Sequence, residues 1–137
     1  MKNAFTTLLA LVVIISVMGV TVAAAASTTY AASQQPTQIT ITQHPPQQVK
    51  VGEDFHTKGQ VTSGGTGLGN KLIYYAQLNT TQNKWYWYYN FTTNLDGSFD
   101  DAGHYNKPGT YQCRYEFWGD DQYAASRSDT MTITVSQ

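Results

Sequence analysis

Charged residues are scarce in this sequence, and neither sign dominates. Asp, Glu, Lys and Arg make up 12% of the 137 residues, about half the usual share for a soluble domain. Eight Lys and Arg stand against nine Asp and Glu, so the formal net charge is −1. A protein that holds a phosphate backbone needs a basic excess, and this chain has none. The composition therefore predicts that nucleic acid is not a partner.

The sequence also lacks the usual signatures of catalysis and metal binding. It contains no G-x-S-x-G, no phosphate-binding loop and no catalytic pair of carboxylates. Its histidines are scattered without the spacing of metal ligands. Its aspartates at strand ends and loops, where extracellular domains sometimes bind calcium, lack EF-hand spacing and are interpreted as turn residues. These residues are His44, His56, His104, Asp96, Asp100, Asp101, Asp120 and Asp121. We expect a non-enzymatic protein without a cofactor or metal.

Long apolar runs are absent except at the N-terminus. Lys2 precedes the run LLALVVIISVMGV, and Ala24 and Ala26 form a small-x-small pattern before Ser27. The run is shorter than the roughly 20 residues that span a bilayer. Residues 1–26 are therefore predicted to be a secretory signal peptide. The alternative is an uncleaved membrane anchor extended by TVAAAA, and either interpretation places the domain outside the cell, secreted or at its surface.

Short segments of alternating polarity fill the rest of the chain. Residues 27–36 are small and polar and are predicted to be a flexible lead-in. From there to residue 137 no segment has helical periodicity, and turn residues separate about seven antiparallel strands. The predicted strands are TQITITQ, EDFHTKGQVT, KLIYYAQL, KWYWYYNFTT, SFDDAGHY, TYQCRYEFW and SDTMTITVSQ, and VKVG makes a short piece between the first two. Strands at this spacing predict an all-β sandwich over residues 37–137.

The single cysteine, Cys113, lies in the strand TYQCRYEFW. Alternation puts Tyr111, Cys113, Tyr115 and Phe117 on one face, which we assign to the core. A tyrosine two residues before a cysteine, just after a Pro-Gly turn, has the position of the tyrosine corner of immunoglobulin-type sandwiches, whose hydroxyl bonds to nearby backbone. No second cysteine exists to form a disulfide. Cys113 is therefore predicted to be a buried free thiol that fills a core position.

The predicted core collects the inward residues of several strands. Its members are Ile39, Ile41, Val61, Leu72, Tyr74, Tyr111, Tyr115, Phe117, Ile133 and Val135.

The stretch LDGSFDDAGHYNKPGTYQCRYEFWGDDQYAASRSDTMTITV resembles the C-terminal half of the Ig-like repeat domains of bacterial and archaeal surface proteins, especially those of methanogens. The shared pattern is D-x-D-G-S-aromatic, G-T-Y-x-x-aromatic, F-x-G-D-x-x-Y-x-x-S and a final T-V-T-V strand, and VKVGEDFHTKGQVTSGGTGLGNKLIYY resembles the opening half. The matching residues of the second half are Asp96, Gly97, Ser98, Phe99, Gly109, Thr110, Tyr111, Phe117, Gly119, Asp120, Tyr123, Ser126, Thr132 and Val135. The resemblance implies an Ig-like β-sandwich that acts as a stalk, spacer or adhesion module.

The strand KWYWYYNF is the predicted binding site, because both of its faces are aromatic and only one can face the core. One face holds Trp85, Trp87, Tyr89 and Phe91, and the other holds Tyr86, Tyr88 and Asn90. The family pattern favours Tyr88 in the core and leaves Trp87 as the exposed ring. Trp87, Trp85 and Tyr89 are the predicted ligand-binding residues, since exposed aromatic area marks interaction sites. Two alternatives stay open: the rings cover a thin core, or a β-bulge shifts the alternation midway.

Two functions of different class follow from these features. In the first, the domain is a structural or adhesion module that contacts a cell-surface protein. In the second, it is a small glycan-binding module whose fourth-strand aromatics stack on polysaccharide. Asn79 in NTT and Asn90 in NFT are predicted N-glycosylation sites. Membrane contact is expected only if residues 1–26 stay attached.

Overall fold

The computed structural model describes residues 33–137. The predicted signal peptide, residues 1–26, and residues 27–32 of the predicted lead-in lie outside the described residues. Between residues 33 and 137 the chain forms strands and no helix. This part of the chain accordingly has no apolar helix long enough to cross a membrane.

Ten strands are assigned in this part of the chain, and the seven longest correspond to predicted ones. They are β1 (Gln38–Gln43), β2 (Gln48–Lys50), β3 (Phe55–Ser63), β4 (Thr66–Gly67), β5 (Leu72–Asn79), β6 (Lys84–Thr92), β7 (Ser98–Gly103), β8 (Gly109–Phe117), β9 (Ser126–Arg127) and β10 (Met131–Ser136). In the first sheet β3 pairs with β1, β4 and β7. The second sheet has the order β2-β10-β8-β5-β6, with β9 paired to β8.

The HPPQQ segment moves the chain from one sheet to the other. β1 belongs to the first sheet, and β2 belongs to the second. Proline has no backbone N–H to donate to a strand ladder, so Pro45 and Pro46 end the pairing of β1. β2 then pairs with β10 in parallel, with Val49 opposite Val135. This parallel pair departs from the predicted antiparallel arrangement, which the other strand pairs between residues 38 and 136 follow.

The core lies between the two sheets and confirms most of the predicted members. Ile39, Val61, Tyr115, Phe117, Ile133 and Val135 are buried, and Ile41 and Tyr111 pack against them. Leu72 and Tyr74 were assigned to the wrong face of β5. Ile73 and Tyr75 are the residues of that strand that belong to the core cluster, whereas Leu72 is 41% exposed. The run LIYYA is apolar on both faces because aromatic rings cover both sides of β5, so its pattern alone does not identify the inner face.

The predictions for β8 are confirmed. The Tyr111 hydroxyl donates a hydrogen bond to the Lys107 carbonyl at 2.9 Å, as the tyrosine corner requires. Cys113 is a free cysteine, buried in the core. Burial raises the pKa of its thiol, which favours the protonated form.

The loop after β8 is shaped by the G-D-x-x-Y motif. Gly119 has a φ of 84°, a left-handed conformation that favours glycine. The Asp120 carboxylate then accepts hydrogen bonds from the backbone N–H groups of Gln122 and Tyr123, both at 2.9 Å. Gln35, near the end of the predicted lead-in, forms a parallel bridge with Tyr123. The motif therefore builds a loop, which agrees with the predicted turn role of Asp120.

Candidate functional site

A β-bulge in β6 decides where its aromatic side chains point. Tyr75 of β5 lies opposite Tyr89, and the next residue, Ala76, lies opposite Trp87, so Tyr88 is an extra residue. A bulge of this kind reverses the alternation along the strand. The predicted single face is thereby divided: Tyr89 turns toward the core, and Trp87 turns to the outer surface. The bulge that the sequence left as an alternative is present.

Exposure along β6 corrects one prediction and confirms another. Tyr88, expected in the core, is 63% exposed because the bulge takes it out of the paired register. Trp87 is 51% exposed, as expected. Phe91 and Tyr89 lie beyond the bulge on the inner side, where Phe91 packs against the core.

The outer aromatic cluster consists of Tyr74, Trp85, Trp87 and Trp118 around Arg114 and Glu116, on the outer face of the second sheet. The Trp118 ring stacks on Tyr74 with a centroid separation of 3.7 Å and an interplanar angle of 9°. Trp87 meets Trp118 edge to face at 5.4 Å and 84°. Trp118 is 52% exposed, so the two indoles form a right-angled corner open to solvent. The cluster contains all three tryptophans of the chain.

Glu116 holds this corner in place from below. Its buried carboxylate accepts hydrogen bonds from the indole Nε1 of Trp87 at 2.8 Å and of Trp118 at 3.2 Å, both on Oε2. The other oxygen pairs with the Arg114 guanidinium, whose Nη2 is 2.6 Å away. Burial acts to raise the pKa of Glu116, but the bonds from Trp87, Arg114 and Trp118 outweigh it and hold the pKa below its usual value. The carboxylate is therefore ionised and fully occupied.

Arg114 also fixes the third indole. Its guanidinium lies 3.8 Å from the centre of the Trp85 ring, in cation–π geometry. Arg127 approaches the same Glu116 oxygen at 3.6 Å, but 66% of its side chain is exposed. A cleft of about 440 Å³ opens beside the corner, and its lining includes Trp87, Trp118, Ser126 and Arg127.

A second group of aromatic residues, the inner tyrosine cluster, closes the opposite side of the sheet. It consists of Tyr75, Tyr89, Tyr105 and Tyr115 with Asp101. The Asp101 carboxylate of β7 accepts hydrogen bonds from the hydroxyls of Tyr89 at 2.5 Å and Tyr115 at 2.8 Å. The Tyr75 and Tyr105 hydroxyls lie 2.7 Å apart. Burial raises the pKa of all four tyrosines, so they act as neutral hydroxyls.

The structure therefore separates the three predicted ligand-binding residues. Trp85 and Trp87 belong to the outer aromatic cluster. Tyr89 belongs to the inner tyrosine cluster, where its ring stacks on Tyr75 at 4.8 Å. Trp118, the partner of Trp87, was not predicted. Alternation along TYQCRYEFW places Arg114, Glu116 and Trp118 together on the face opposite the core. Two opposite charges beside a tryptophan on an outer face were the sequence signal for the outer aromatic cluster.

Apart from Asp101, which belongs to the inner tyrosine cluster, the remaining predicted residues lie outside both clusters. His56 pairs with Asp100 at 2.7 Å, and His104 pairs with Asp54 at 3.3 Å, all on the surface. Between residues 33 and 137, no group of three His, Cys, Asp or Glu side chains is arranged to hold a metal ion. Asp100 and Asp101 lie in β7 and not in a turn, which corrects their predicted position. Asn79 and Asn90 are exposed, at the end of β5 and within β6.

Comparison with known proteins identifies the fold. No protein-family model matches the sequence. No curated protein matches it either. Among solved structures, the chain is similar to a CARDB domain from Pyrococcus furiosus in complex with di-metal ions, with a TM-score of 0.50 and 14% identity, over 76% of this chain and 90% of that one.

Two other solved structures are similar with lower scores. A PKD domain of an M14-like peptidase from a Thermoplasmatales archaeon has a TM-score of 0.49 and 16% identity, over 77% of this chain and 100% of that one. The D00-D0 domain of Intimin has a TM-score of 0.43 and 13% identity, over 70% of this chain and 45% of that one. Identities this low establish the fold alone. The domain is an all-β, Ig-like sandwich.

Proposed function

We propose that the protein is an exported, non-enzymatic Ig-like module that acts as an extracellular structural or adhesion domain by contacting a cell-surface protein. The observation that carries the proposal is the free edge of the second sheet. β6 pairs with β5, and none of the other strands described pairs with it. A nine-residue edge strand leaves backbone donors and acceptors available to another chain.

The side chains of this edge have the character of a protein interface. Exposed fractions are 36% for Tyr86, 51% for Trp87, 63% for Tyr88 and 41% for Tyr89. Tyrosine and tryptophan are the residues that most often dominate binding energy at interfaces. The bulge at Tyr88 interrupts a continuous ladder and so discourages indiscriminate strand pairing. Recognition would therefore depend chiefly on the aromatic side chains.

Three side chains of types that often serve in catalysis are already engaged. The Cys113 thiol is buried with a raised pKa, and a nucleophilic cysteine needs a lowered pKa and partial exposure. The Glu116 and Asp101 carboxylates accept hydrogen bonds from neighbouring side chains. These features support a binding role over an enzymatic one.

Export rests on the predicted signal peptide, residues 1–26, and agrees with the exposed sequon residues Asn79 and Asn90. We expect the chain in the culture medium or the cell envelope, with Ser27 as its first residue and glycans on one or both asparagines. Fractionation followed by N-terminal sequencing and intact-mass measurement tests this. A chain found in the envelope that still begins at Met1 would establish the anchor alternative.

Binding of the full chain to intact cells of the producing organism tests the adhesion role. We expect binding to disappear after protease treatment of the cells and to survive periodate oxidation of their glycans. The double variant Tyr86→Ser/Tyr88→Ser should lose binding. Leu95→Ser, which alters an 83% exposed apolar residue outside β6, should retain it. Binding that survives protease but not periodate, or that tolerates the double variant, contradicts the proposal.

A further inference from the structure

The right-angled corner formed by Trp87 and Trp118 is a preorganised surface. None of the other residues that the structure describes covers its solvent-facing side. The faces of two half-exposed indoles meet at 84° beside a cleft of about 440 Å³. We propose that this cleft is a carbohydrate-binding site that takes a neutral pyranose ring of a polysaccharide. The cleft shares Trp87 with the β6 edge, but its other lining residues belong to β8, β9 and the loop between them, so the two sites can be tested separately.

The ring geometry fits a sugar. One face of Trp118 is covered by Tyr74 at 3.7 Å, which supports the indole and leaves the remainder of the ring to a ligand. The apolar C–H face of a pyranose can lie flat on one indole while the perpendicular indole of Trp87 forms a side wall. Small-molecule sites combine such apolar walls with a few polar groups that fix orientation. Arg127 supplies such a group, since 66% of its side chain is exposed.

The rings are rigid before any ligand arrives. Both indole N–H groups donate to the same Glu116 oxygen, and that carboxylate is itself clamped by Arg114. Burying an ion pair is costly, and here the pair orients half-exposed aromatic rings that contribute little to the core. Rings fixed in this way lose little conformational entropy on binding, which favours affinity for a ligand in an open surface cleft.

Charge balance favours a neutral ligand. Both Glu116 oxygens have donors, so a cationic ligand finds no free carboxylate in the cleft. The buried charges of Glu116 and Arg114 cancel, and Arg127 at the rim is partly engaged by Glu116 at 3.6 Å. What remains is aromatic surface with the guanidinium donor of Arg127. This combination matches the C–H faces and hydroxyl groups of a neutral sugar.

Intrinsic fluorescence gives a direct test, because all three tryptophans lie in the outer aromatic cluster. The full chain is titrated with neutral hexasaccharides of glucose, mannose, xylose and N-acetylglucosamine and with an acidic one, oligogalacturonate. We expect saturable fluorescence change with at least one neutral hexasaccharide, confirmed by calorimetry. Trp118→Ala should weaken that binding at least tenfold, and Arg127→Ala several-fold. Tyr88→Ala, an exposed aromatic change outside the cleft, should leave it unchanged.

Near-UV circular dichroism verifies that each variant is folded. If Trp118→Ala does not fold, Arg127→Ala still tests the proposal. No saturable response to any neutral hexasaccharide up to about 10 mM, a weak-affinity limit, overturns the proposal. So does binding of oligogalacturonate alone, which would indicate an anion site on Arg127. Loss of cell binding through Trp118→Ala without any sugar response would assign the cleft to a protein ligand. The β6 double variant tests the adhesion role separately, since neither Tyr86 nor Tyr88 lines the cleft.

Discussion

The two aromatic clusters lie on opposite faces of one sheet, and each is organised by a single carboxylate. In the inner tyrosine cluster, Asp101 of the first sheet accepts bonds from Tyr89 and Tyr115 of the second. In the outer aromatic cluster, Glu116 accepts bonds from Trp87 and Trp118 within its own sheet. The inner carboxylate therefore joins two sheets, whereas the outer one positions rings toward solvent. The same chemistry serves the fold in one place and a surface in the other.

The largest expected effect is that of Glu116→Ala. This change leaves two indole N–H groups and the Arg114 guanidinium, whose side chain is 14% exposed, without their acceptor. Breaking a largely buried pair in this way costs about 3–5 kcal/mol. Asp101→Ala should cost less, about 1–3 kcal/mol, because tyrosine hydroxyls are neutral donors. Urea denaturation measures both, with the exposed Asp121→Ala as the control. A larger loss for Asp101→Ala would reverse the assigned roles of the clusters.

Acid should weaken the outer cluster in the native protein. The pKa of Glu116 is lowered in the folded state, so the unfolded chain binds this proton more tightly. The stabilisation is complete above the unfolded value, about 4.3, and is lost as the pH falls through the folded value. The effect should be smaller than that of Glu116→Ala, since the packed side chain remains. Between neutral pH and about pH 3, the free energy of unfolding should fall less steeply for Glu116→Gln than for the unmodified protein. Equal slopes would exclude Glu116 as a source of the pH dependence.

Trp87→Ala should have a moderate effect on stability. The ring is half exposed, but its loss leaves one Glu116 oxygen without its shorter indole donor, at a cost of about 1–3 kcal/mol. The same variant should impair sugar binding strongly because it removes one wall of the cleft. Denaturation and fluorescence titration give the two values. A variant that unfolds outright would place Trp87 in the core and remove the site.

Two tyrosine substitutions compare the stability contributed by a hydrogen bond between the sheets with that of a hydrogen bond within a turn. Tyr115→Phe removes a bond to Asp101, and Tyr111→Phe removes the bond to the Lys107 carbonyl. Each should cost about 1 kcal/mol, with Tyr115→Phe the larger because its hydroxyl is the more buried. Thermal unfolding of the two variants in parallel measures the difference. An unchanged Tyr111→Phe would remove the stabilising role of the tyrosine corner.

The smallest effect is expected for Tyr88→Ala. Tyr88 is the extra residue of the bulge and is 63% exposed, so its removal should alter stability by no more than about 0.5 kcal/mol. A loss of several kcal/mol would return Tyr88 to the core, where the family resemblance placed it. It would also remove the division of β6 into inner and outer parts.

How well each strand or site could be predicted depended on the regularity of its sequence pattern. Strands β8 and β10 alternate regularly, so the burial of Cys113, Tyr115, Phe117, Ile133 and Val135 was predicted correctly, whereas the burial of Glu116 and Met131 was not predicted. The Pro-Gly turn and Tyr111 identified the tyrosine corner because that contact is local in sequence. The outer cluster was half predicted: Trp85 and Trp87 were selected for their aromatic density, but Trp118 was missed, since nothing in the sequence links it to Trp87 across β5.

The amino-acid sequence by itself determined the all-β class, the number of long strands and the burial of the single cysteine, because period-two alternation and turn residues act locally. Tertiary structure alone decided the faces of β5 and β6. Both strands are aromatic on both sides, so alternation permits either orientation, and one extra residue at Tyr88 inverts every side chain after it. Whether Trp87 meets Glu116 or Tyr89 meets Asp101 depends on which strands become neighbours, and that is fixed only when the two sheets pack together.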